Sequence, residues 1–247
     1  FGNQDLEKWT SCSEIGHVLE TKDHVTICVE SKERTWELMI YPVVGGFRMV
    51  SGKKGFFDGK PEAFSMEESE HAYIIRSKEH EMILQKETLE ISIDRKAITN
   101  LKNISFIFEK ESVSASRIQF SIHENSAIYG FGERFDSVNQ YGKTVALWQR
   151  DACEGCLASI GNQAYKNIPL VHTSDGFSFF ANTSYRMRMD VGDAVQDYLS
   201  VEALGDVFDF YIWSGTPREA LTAYGTLTGL PIFPPEWVFE PWAGGGG

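Results

Sequence analysis

Short segments in which apolar and polar residues alternate follow one another along nearly the whole chain of 247 residues. Examples are residues 36–41 (Trp-Glu-Leu-Met-Ile-Tyr), 89–93 (Leu-Glu-Ile-Ser-Ile) and 208–213 (Phe-Asp-Phe-Tyr-Ile-Trp). This period of two, with many β-branched and aromatic residues, is typical of half-buried strands. Turn residues separate the segments, as at 58–59 (Asp-Gly) and 175–176 (Asp-Gly). The pattern predicts a mainly β protein: a large antiparallel β-sandwich with many strands.

One segment in the second half carries the signals of a helix instead. Thr216 and Glu219 have the spacing of a capping box, and Pro217 stands at the first helical position. Gly229 stands where a C-terminal cap is expected, because glycine readily adopts the conformation that ends a helix. We therefore predict one short helix near residues 216–229, packed on an edge of the sandwich.

The charge balance of the chain is acidic. Asp and Glu number 35 against 23 Lys and Arg, which gives a net charge of −12. Proteins that bind nucleic acids or anionic membrane surfaces use clustered Lys and Arg, so this balance repels both partners. We expect neither a nucleic acid nor a membrane as a partner. The chain also lacks the run of about 18 apolar residues that a membrane-spanning helix needs.

Prolines mark the end of the predicted sandwich. Pro231, Pro234 and Pro235 enforce an extended stretch after the predicted helix. We therefore predict a β-sandwich domain over residues 1–230 and, over residues 231–247, a linker that leads into another domain. The chain starts without an initiator Met or a signal peptide, which indicates that it was processed or comes from a longer protein.

Cys153 and Cys156 form a Cys-x-x-Cys pair, a spacing found in zinc sites and in redox motifs. Zinc needs further ligands at short spacing, and the next histidine, His172, stands alone. A redox pair of the thioredoxin type needs a helix within a βαβ unit, which the pattern does not predict. We expect loop cysteines without a metal, and no cofactor. Four cysteines do not determine the cellular compartment.

The second half of the chain contains several motifs in a fixed order. They are Tyr-Gly-Phe-Gly-Glu at 129–133, Gln-Arg-Asp at 149–151, Ile-Pro-Leu at 168–170, Asp-Gly-Phe-Ser-Phe-Phe at 175–180, Phe-Asp-Phe-Tyr-Ile-Trp-Ser-Gly-Thr-Pro at 208–217, Leu-Thr-Gly-Leu-Pro at 227–231 and Pro-Pro-Glu-Trp at 234–237. This order resembles the amino-terminal region of family 31 glycoside hydrolases, which include α-glucosidases, α-xylosidases and α-transglucosidases. The resemblance covers residues 125–243, and the earlier residues are similar only in strand character.

The resemblance implies a β-sandwich of the galactose-mutarotase-like type that precedes a (β/α)₈ catalytic barrel. Residues 237–242 look like the first strand of that barrel. A retaining glycosidase needs two carboxyl groups about 5–5.5 Å apart, one as nucleophile and one as acid and base. In the resembled family both stand on later barrel strands, so we expect no catalytic residue in this chain and no activity from it alone. The implied partners are an α-linked oligosaccharide substrate and the chain's own catalytic barrel.

Trp148, Arg150 and Asp151 are the candidate substrate-binding residues. An aromatic ring can stack on the apolar face of a sugar, and a carboxylate or guanidinium can hold two neighbouring hydroxyl groups. From the residues alone, a surface pair of Arg150 and Asp151 beside a buried Trp148 is the simpler interpretation. The resemblance favours the substrate site, because the corresponding loop of the family reaches over the mouth of the active site.

The Gly-Phe-Gly-Glu motif at 130–133 has two interpretations. A phosphate-binding loop would need a third glycine and a helix directly after it, and the sequence offers neither. Two glycines that permit a tight bend at the end of a strand explain the motif better. For Glu133 we favour a hydrogen-bonded structural carboxylate over a ligand-binding one.

Three functions are compatible with this sequence. The first is the amino-terminal domain of a retaining α-glycosidase or α-transglucosidase, which supports the barrel and lends one loop to the substrate site. The second is a stand-alone carbohydrate-binding module without catalysis. The third is a sugar mutarotase, which needs a general acid and a general base facing a pyranose ring. The histidines and glutamates form no convincing pair of this kind, so we favour the first function.

Overall fold

The computed structural model describes residues 9–134, 136–149 and 164–243. In chain order its strands are β1 (Thr10–Ser11), β2 (Glu14–Glu20), β3 (Val25–Glu30), β4 (Thr35–Val43), β5 (Gly46–Gly52), β6 (Ser65–Glu68), β7 (Ala72–Arg76), β8 (Glu81–Gln85), β9 (Glu90–Ile93), β10 (Lys96–Asn100), β11 (Ile104–Glu109), β12 (Ser112–Ser121), β13 (Ile128–Gly132), β14 (Lys143–Leu147), β15 (Asn167–Thr173), β16 (Phe177–Ala181), β17 (Met187–Val191), β18 (Tyr198–Leu204) and β19 (Val207–Ser214). The helices are α1 (Pro217–Thr228) and two short 3₁₀-helices, Leu101–Asn103 and Glu236–Phe239. No helix in these residues is long and apolar enough to span a membrane.

The strands form three sheets. A six-stranded sheet has the order β1-β11-β12-β18-β17-β14, a five-stranded sheet has the order β10-β9-β8-β7-β6, and an eight-stranded sheet has the order β13-β15-β16-β19-β5-β4-β3-β2. Neighbouring strands within each sheet run antiparallel. The predicted mainly β, antiparallel sandwich is therefore confirmed.

The period of two in the sequence sorts side chains onto the two faces of each sheet. On β19, Phe208, Phe210 and Ile212 belong to the main core, which lies on the inner face of the eight-stranded sheet. Tyr211 and Trp213 alternate with them and belong to a second apolar cluster on the outer face. Successive residues of a strand point to opposite faces, so a strand buried on both sides becomes almost continuously apolar.

Aromatic rings join the two larger sheets across the main core. Phe120 of β12 stacks on Phe179 of β16 with ring centroids 4.4 Å apart. Phe106 of β11 meets Phe208 of β19 edge to face at 5.4 Å. The five-stranded sheet adds side chains such as Met82 of β8 to the same cluster. All three sheets therefore share one hydrophobic core.

Helix α1 covers part of the outer face of the eight-stranded sheet. Thr216 Oγ1 accepts a hydrogen bond from the Glu219 N–H, and Glu219 Oε2 accepts one from the Thr216 N–H at 2.7 Å, so the predicted capping box is present. Ala220 and Ala223 face the sheet and are buried in the outer cluster. The prediction of one short helix near residues 216–229 is confirmed for the described part of the chain. The predicted packing on an edge of the sandwich is wrong, because the helix contacts β16 and β19, which lie inside the eight-stranded sheet.

A buried ion pair crosses the outer face beside this helix. Arg48 of β5 donates from Nε to Asp209 Oδ1 at 2.8 Å and from Nη2 to Oδ2 at 2.6 Å. Both residues are only 1% exposed. Burial by itself lowers the pKa of Arg48, but the hydrogen bonds and charge of Asp209 raise that pKa above its usual range. The guanidinium therefore stays charged, and the two-point geometry compensates for the lost hydration.

The segment between β5 and β6 is attached to this ion pair. Asp209 Oδ2 also accepts hydrogen bonds from the Gly55 N–H at 2.7 Å and from Asn182 Nδ2 at 2.8 Å. Asp58 contacts the Arg48 guanidinium from the same segment, and this bond holds the pKa of Asp58 below its usual value. The carboxylate of Asp209 therefore holds this segment, residues 53–64, against the outer face of the sheet. We call residues 53–64 the covering layer.

The end of the described chain differs from the sequence expectation. Residues 236–239 form a 3₁₀-helix, whereas residues 237–242 look like a strand in the sequence. A strand needs a neighbouring strand to bond its backbone, and none of the described strands pairs with this segment. Its local hydrogen bonds, such as the one from the Val238 N–H to the Pro235 carbonyl oxygen, take the place of a sheet. The division into domains at residues 230 and 231 stays a prediction.

Replacing Asp209 by Ala is expected to destabilise the sandwich by about 3–5 kcal/mol, because it leaves the buried Arg48 charge without its partner. Urea unfolding followed by tryptophan fluorescence measures this loss. Glu111→Ala serves as the control, because Glu111 pairs with Arg34 from an exposed position, where an ion pair contributes only about 0–1 kcal/mol. A loss below about 1 kcal/mol for Asp209→Ala would contradict the role given to the ion pair.

Candidate functional site

A cleft of about 280 Å³ opens on the outer face of the eight-stranded sheet. Strands β14, β15 and β16, helix α1 and the segment between β5 and β6 all contribute to its wall. The aromatic side chains in this wall are Phe56, Phe57, Trp148, Phe180, Tyr185 and Tyr224. Its polar residues include Gln149, Asn167, Asn182, Thr183 and Ser184. An aromatic wall with a few polar groups is typical of a binding site for a small ligand.

Three of the aromatic rings are exposed to solvent at the cleft. The exposed fraction is 75% for Phe56, 52% for Trp148 and 41% for Tyr185. These rings come from three different parts of the chain, and the fold brings them to one place. Rings of this kind can stack on the apolar face of a ligand while their rims stay in contact with water. The cleft is therefore chemically suited to a pyranose ring.

The floor of the cleft is rigid. Phe180 of β16 packs against Phe57, with ring centroids 6.0 Å apart, and against Tyr224 of α1 at 5.2 Å. The Asn182 side chain accepts a hydrogen bond from the Phe57 N–H at 3.1 Å and donates to the Phe57 carbonyl oxygen at 2.8 Å. Asn182 also donates to the buried Asp209. The same ion pair that fixes the covering layer therefore fixes the floor.

The residues predicted for substrate binding are only partly described. Trp148 lines the cleft and is half exposed, so it is not the buried side chain of the simpler interpretation. Arg150 and Asp151 lie outside the described residues, and so does the Cys153 and Cys156 pair. The roles predicted for Arg150 and Asp151 stay predictions.

The sequence analysis missed Phe56 and Tyr185 as cleft residues. Phe56 lies between β5 and β6, and Tyr185 lies between β16 and β17. Neither belongs to a motif that carries the family resemblance. The only local signal is an aromatic residue in a polar connection, which does not reveal a shared site. Their meeting depends on the order of strands in the sheet.

The Gly-Phe-Gly motif forms a strained bend, as its glycines predict. Gly130, Phe131 and Gly132 have φ angles of 114°, 67° and 89°, all in the left-handed region. A Cβ atom at Gly132 would lie 2.1 Å from the Lys166 carbonyl oxygen, so a larger residue cannot fit. Phe131 is fully buried in the main core. Glu133 follows the bend, and its N–H donates to the Lys166 carbonyl oxygen at 2.8 Å.

The buried histidine in this part of the fold has a structural partner. His172 of β15 is a neighbour of Ser178, with 2.8 Å between Nδ1 and Oγ, and burial lowers the pKa of His172. A histidine with a lowered pKa is neutral at pH 7. In the described part of the chain, no group of three or more His, Cys, Asp and Glu side chains has an arrangement suited to a metal ion.

Comparison with protein families identifies residues 24–190 as a glycosyl hydrolase 31 N-terminal galactose mutarotase-like domain. The match begins about a hundred residues before residue 125, where the motifs begin, so the likeness in the first half extends beyond strand character. The matched residues include the Gly-Phe-Gly bend and Trp148.

Two curated relatives are α-xylosidases. The enzyme of Lactiplantibacillus pentosus is 35% identical over 131 residues, which are 53% of this chain and 16% of the relative. The enzyme of Emericella nidulans is 26% identical over 136 residues, which are 55% of this chain and 16% of the relative. The matched part therefore spans about one sixth of the length of each relative.

Solved structures share the fold at lower sequence identity. A cycloalternan-forming enzyme from Listeria monocytogenes, solved with a pentasaccharide substrate, has a TM-score of 0.81 and 18% identity over 94% of this chain and 23% of its own. A Flavobacterium johnsoniae GH31 dextranase, solved with glucose, has a TM-score of 0.73 and 19% identity over 92% of this chain and 29% of its own. The family match covers more than half of the chain, and the fold agrees with it. The chain belongs to the family of glycosyl hydrolase 31 N-terminal galactose mutarotase-like domains.

Proposed function

We propose that this chain is the amino-terminal domain of a retaining α-glycosidase or α-transglucosidase that acts on α-linked glucosides. It supports a (β/α)₈ catalytic barrel and contributes the residues from Trp148 to Asp151 to the substrate site. The observation that carries the proposal is the aromatic cleft beside Trp148 in a domain of glycosyl hydrolase family 31. The named relatives and structural neighbours act on α-xylosides or bind glucose and oligosaccharides, which supports a carbohydrate as the ligand.

The catalytic carboxylates of such an enzyme belong to the barrel. Barrel active sites are built from the loops that follow several different strands, and a retaining mechanism needs two carboxyl groups about 5–5.5 Å apart. The described residues form a β-sandwich and contain no such barrel. The role of this domain is therefore to hold one side of the substrate in place, while the nucleophile and the acid/base come from the barrel.

The segment after helix α1 is the proposed contact with the barrel. Its apolar side chains are exposed, and they are Leu230, Ile232, Phe233, Trp237, Phe239 and Trp242. Exposed apolar side chains in such number commonly mark a contact with a partner. We assign residues 231–247 as a linker and the start of the barrel. In this assignment the barrel covers the apolar side chains that the described residues leave exposed.

The 247-residue chain by itself is expected neither to hydrolyse nor to transfer an α-glucoside, since the proposed carboxylate pair belongs to the barrel. The measurement is release of the aryl group from an activated aryl α-glucoside by the purified chain, with the complete enzyme as the positive control. Turnover that copurifies with the chain and is absent from a mock purification would contradict the proposed division of roles.

Asp151→Ala in the complete enzyme is expected to lower kcat/KM for an oligosaccharide by roughly tenfold to a hundredfold. The reason is that the carboxylate accepts hydrogen bonds from two neighbouring hydroxyl groups on the acceptor side, and a hydrogen bond to a charged group contributes about 1.5–3 kcal/mol. An aryl glycoside lacks those hydroxyl groups, so its kcat/KM is expected to change much less. Steady-state kinetics on both substrates measure the difference.

Asp23→Ala is the matched control, because Asp23 is an exposed carboxylate on the turn between β2 and β3. This variant is expected to leave both substrates unaffected. A structural salt bridge of Asp151 would instead lower the melting temperature and reduce the kcat/KM of both substrates together. Equal losses, or changes below about twofold for both, would show that Asp151 does not bind the sugar.

A further inference from the structure

A second cleft lies beside the one that Trp148 lines. Its volume is about 210 Å³, and its lining residues are Lys54, Gly55, Phe56, Thr183, Ser184, Tyr185 and Val207. Phe56 and residues 183–185 line both clefts, whereas Trp148 lines only the first and Val207 only the second. The rings of Phe56 and Tyr185 therefore stand where the two clefts meet. We call residues 54–56, 183–185 and 207 the second cleft.

Tyr185 is held in place although it is 41% exposed. Its hydroxyl group donates a hydrogen bond to Asp206 Oδ1 at 3.1 Å, and its N–H donates to Thr183 Oγ1 at 3.2 Å. Lys53 pairs with the same Asp206, and these hydrogen bonds hold the pKa of Asp206 below its usual value. The ring also packs on Gly205, where a Cβ atom would lie 2.5 Å from it. The Tyr185 ring is therefore presented in a defined position.

Phe56 is 75% exposed between two anchored neighbours. The Gly55 N–H is bonded to the buried Asp209, and the backbone of Phe57 is bonded on both sides to the Asn182 side chain. A Cβ atom at Gly55 would lie 1.6 Å from the Asn182 carbonyl oxygen, so a larger residue cannot fit there. The covering layer thus keeps the Phe56 ring in water, although an apolar ring gains free energy when it is buried.

Polar groups surround the two rings. Thr183 and Ser184 bring hydroxyl groups to both clefts, and Lys54 brings an ammonium group to the second cleft. Rings that are flanked by such groups suit a sugar, which has an apolar face and a rim of hydroxyl groups. The centre of a protein–protein interface is instead depleted of charged residues. The lining of the second cleft therefore favours a carbohydrate over the barrel as its occupant.

We propose that Phe56, Tyr185 and the second cleft form a subsite for a further sugar unit of an α-linked oligosaccharide, next to the unit that binds beside Trp148. This inference rests on the proposed function for its ligand. The two rings bind a sugar unit that does not react, so they determine the preference for substrate length and take no part in the chemistry. A disaccharide ends before the second cleft, whereas a longer oligosaccharide reaches it.

The first test is Phe56→Ala in the complete enzyme, assayed with maltose, isomaltose and the longer homologues of both. The kcat/KM for the longer oligosaccharides is expected to fall by about tenfold, mainly through a higher KM, because the lost contact binds ground state and transition state alike. The kcat/KM for the disaccharides is expected to change by less than about twofold. The melting temperature is expected to stay the same, since the ring is exposed.

Two variants of Tyr185 separate the ring from its hydrogen bond. Tyr185→Ala removes both and is expected to reproduce the length-dependent loss of Phe56→Ala. Tyr185→Phe keeps the ring and removes only the bond to Asp206, so it is expected to retain most of the preference for longer substrates. Equal losses for both variants on every substrate, with a lowered melting temperature, would show that Tyr185 is only structural.

Leu19→Ala is the matched control. Leu19 is also an exposed apolar side chain, at 54%, but it lies on the edge strand β2. Strands β3, β4, β5 and β19 separate β2 from β16 in the sheet. This variant is expected to leave kcat/KM unchanged for substrates of every length.

Equilibrium binding tests the subsite without turnover. In isothermal titration calorimetry, the 247-residue chain is expected to bind the longer oligosaccharides more tightly than the disaccharides, and Phe56→Ala is expected to remove that difference. Binding that does not depend on length, or that Phe56→Ala leaves unchanged, would overturn the subsite.

The outcomes also separate the subsite from the proposed function. If the complete enzyme acts on α-linked oligosaccharides but Phe56→Ala lowers all lengths equally and lowers the melting temperature, the second cleft contacts the barrel, so the subsite is wrong and the proposed function stands. If the complete enzyme acts on no α-linked oligosaccharide while the chain binds them through Phe56 and Tyr185, the proposed function is wrong and the subsite stands.

Discussion

The buried pair of Arg48 and Asp209 organises the outer face of the large sheet. Asp209 receives two hydrogen bonds from Arg48, one from the Gly55 backbone and one from Asn182. Asn182 in turn holds Phe57, and Phe57 packs on the floor of the cleft. Removing a partner from a buried charge is strongly destabilising, because the remaining charge is left uncompensated. The ion pair therefore links strand pairing, the covering layer and the shape of the candidate site.

A second constraint acts at the start of β15, where Asn167 lines the cleft. The left-handed bend at residues 130–132 leaves room only for glycine at its ends, and the chain that follows it reaches the start of β15. Arg134 then joins β14 to β15 through Ala146 and Asn167. The charge of Arg48 is fully bonded, whereas Nε and Nη1 of Arg134 have no hydrogen-bond partner among the described residues.

Local sequence signals predicted the elements that depend on neighbouring residues. The capping box of Thr216 and Glu219 gave the position of α1, because both of its hydrogen bonds join residues three positions apart. Residues 237–242, which resemble the first strand of a catalytic barrel, could not be assigned from local signals, and residues 236–239 form a 3₁₀-helix in the described structure. A strand depends on partners from elsewhere in the fold, and the described residues supply none there. The aromatic residue Trp148 was found from a motif, while Phe56 and Tyr185 were not.

The sequence by itself determined the strand periodicity, the helix and its caps, and the acidic charge balance, which depend on spacing and composition that a linear chain displays directly. The order of its motifs carried the resemblance to the family. Only the tertiary structure decided that Phe56, Trp148 and Tyr185 share one cleft, that Asp209 is the partner of Arg48, and that Arg134 joins two sheets. The physical reason is that these contacts join residues far apart in the chain, and they arise from the order of strands in each sheet and the packing of one sheet on another.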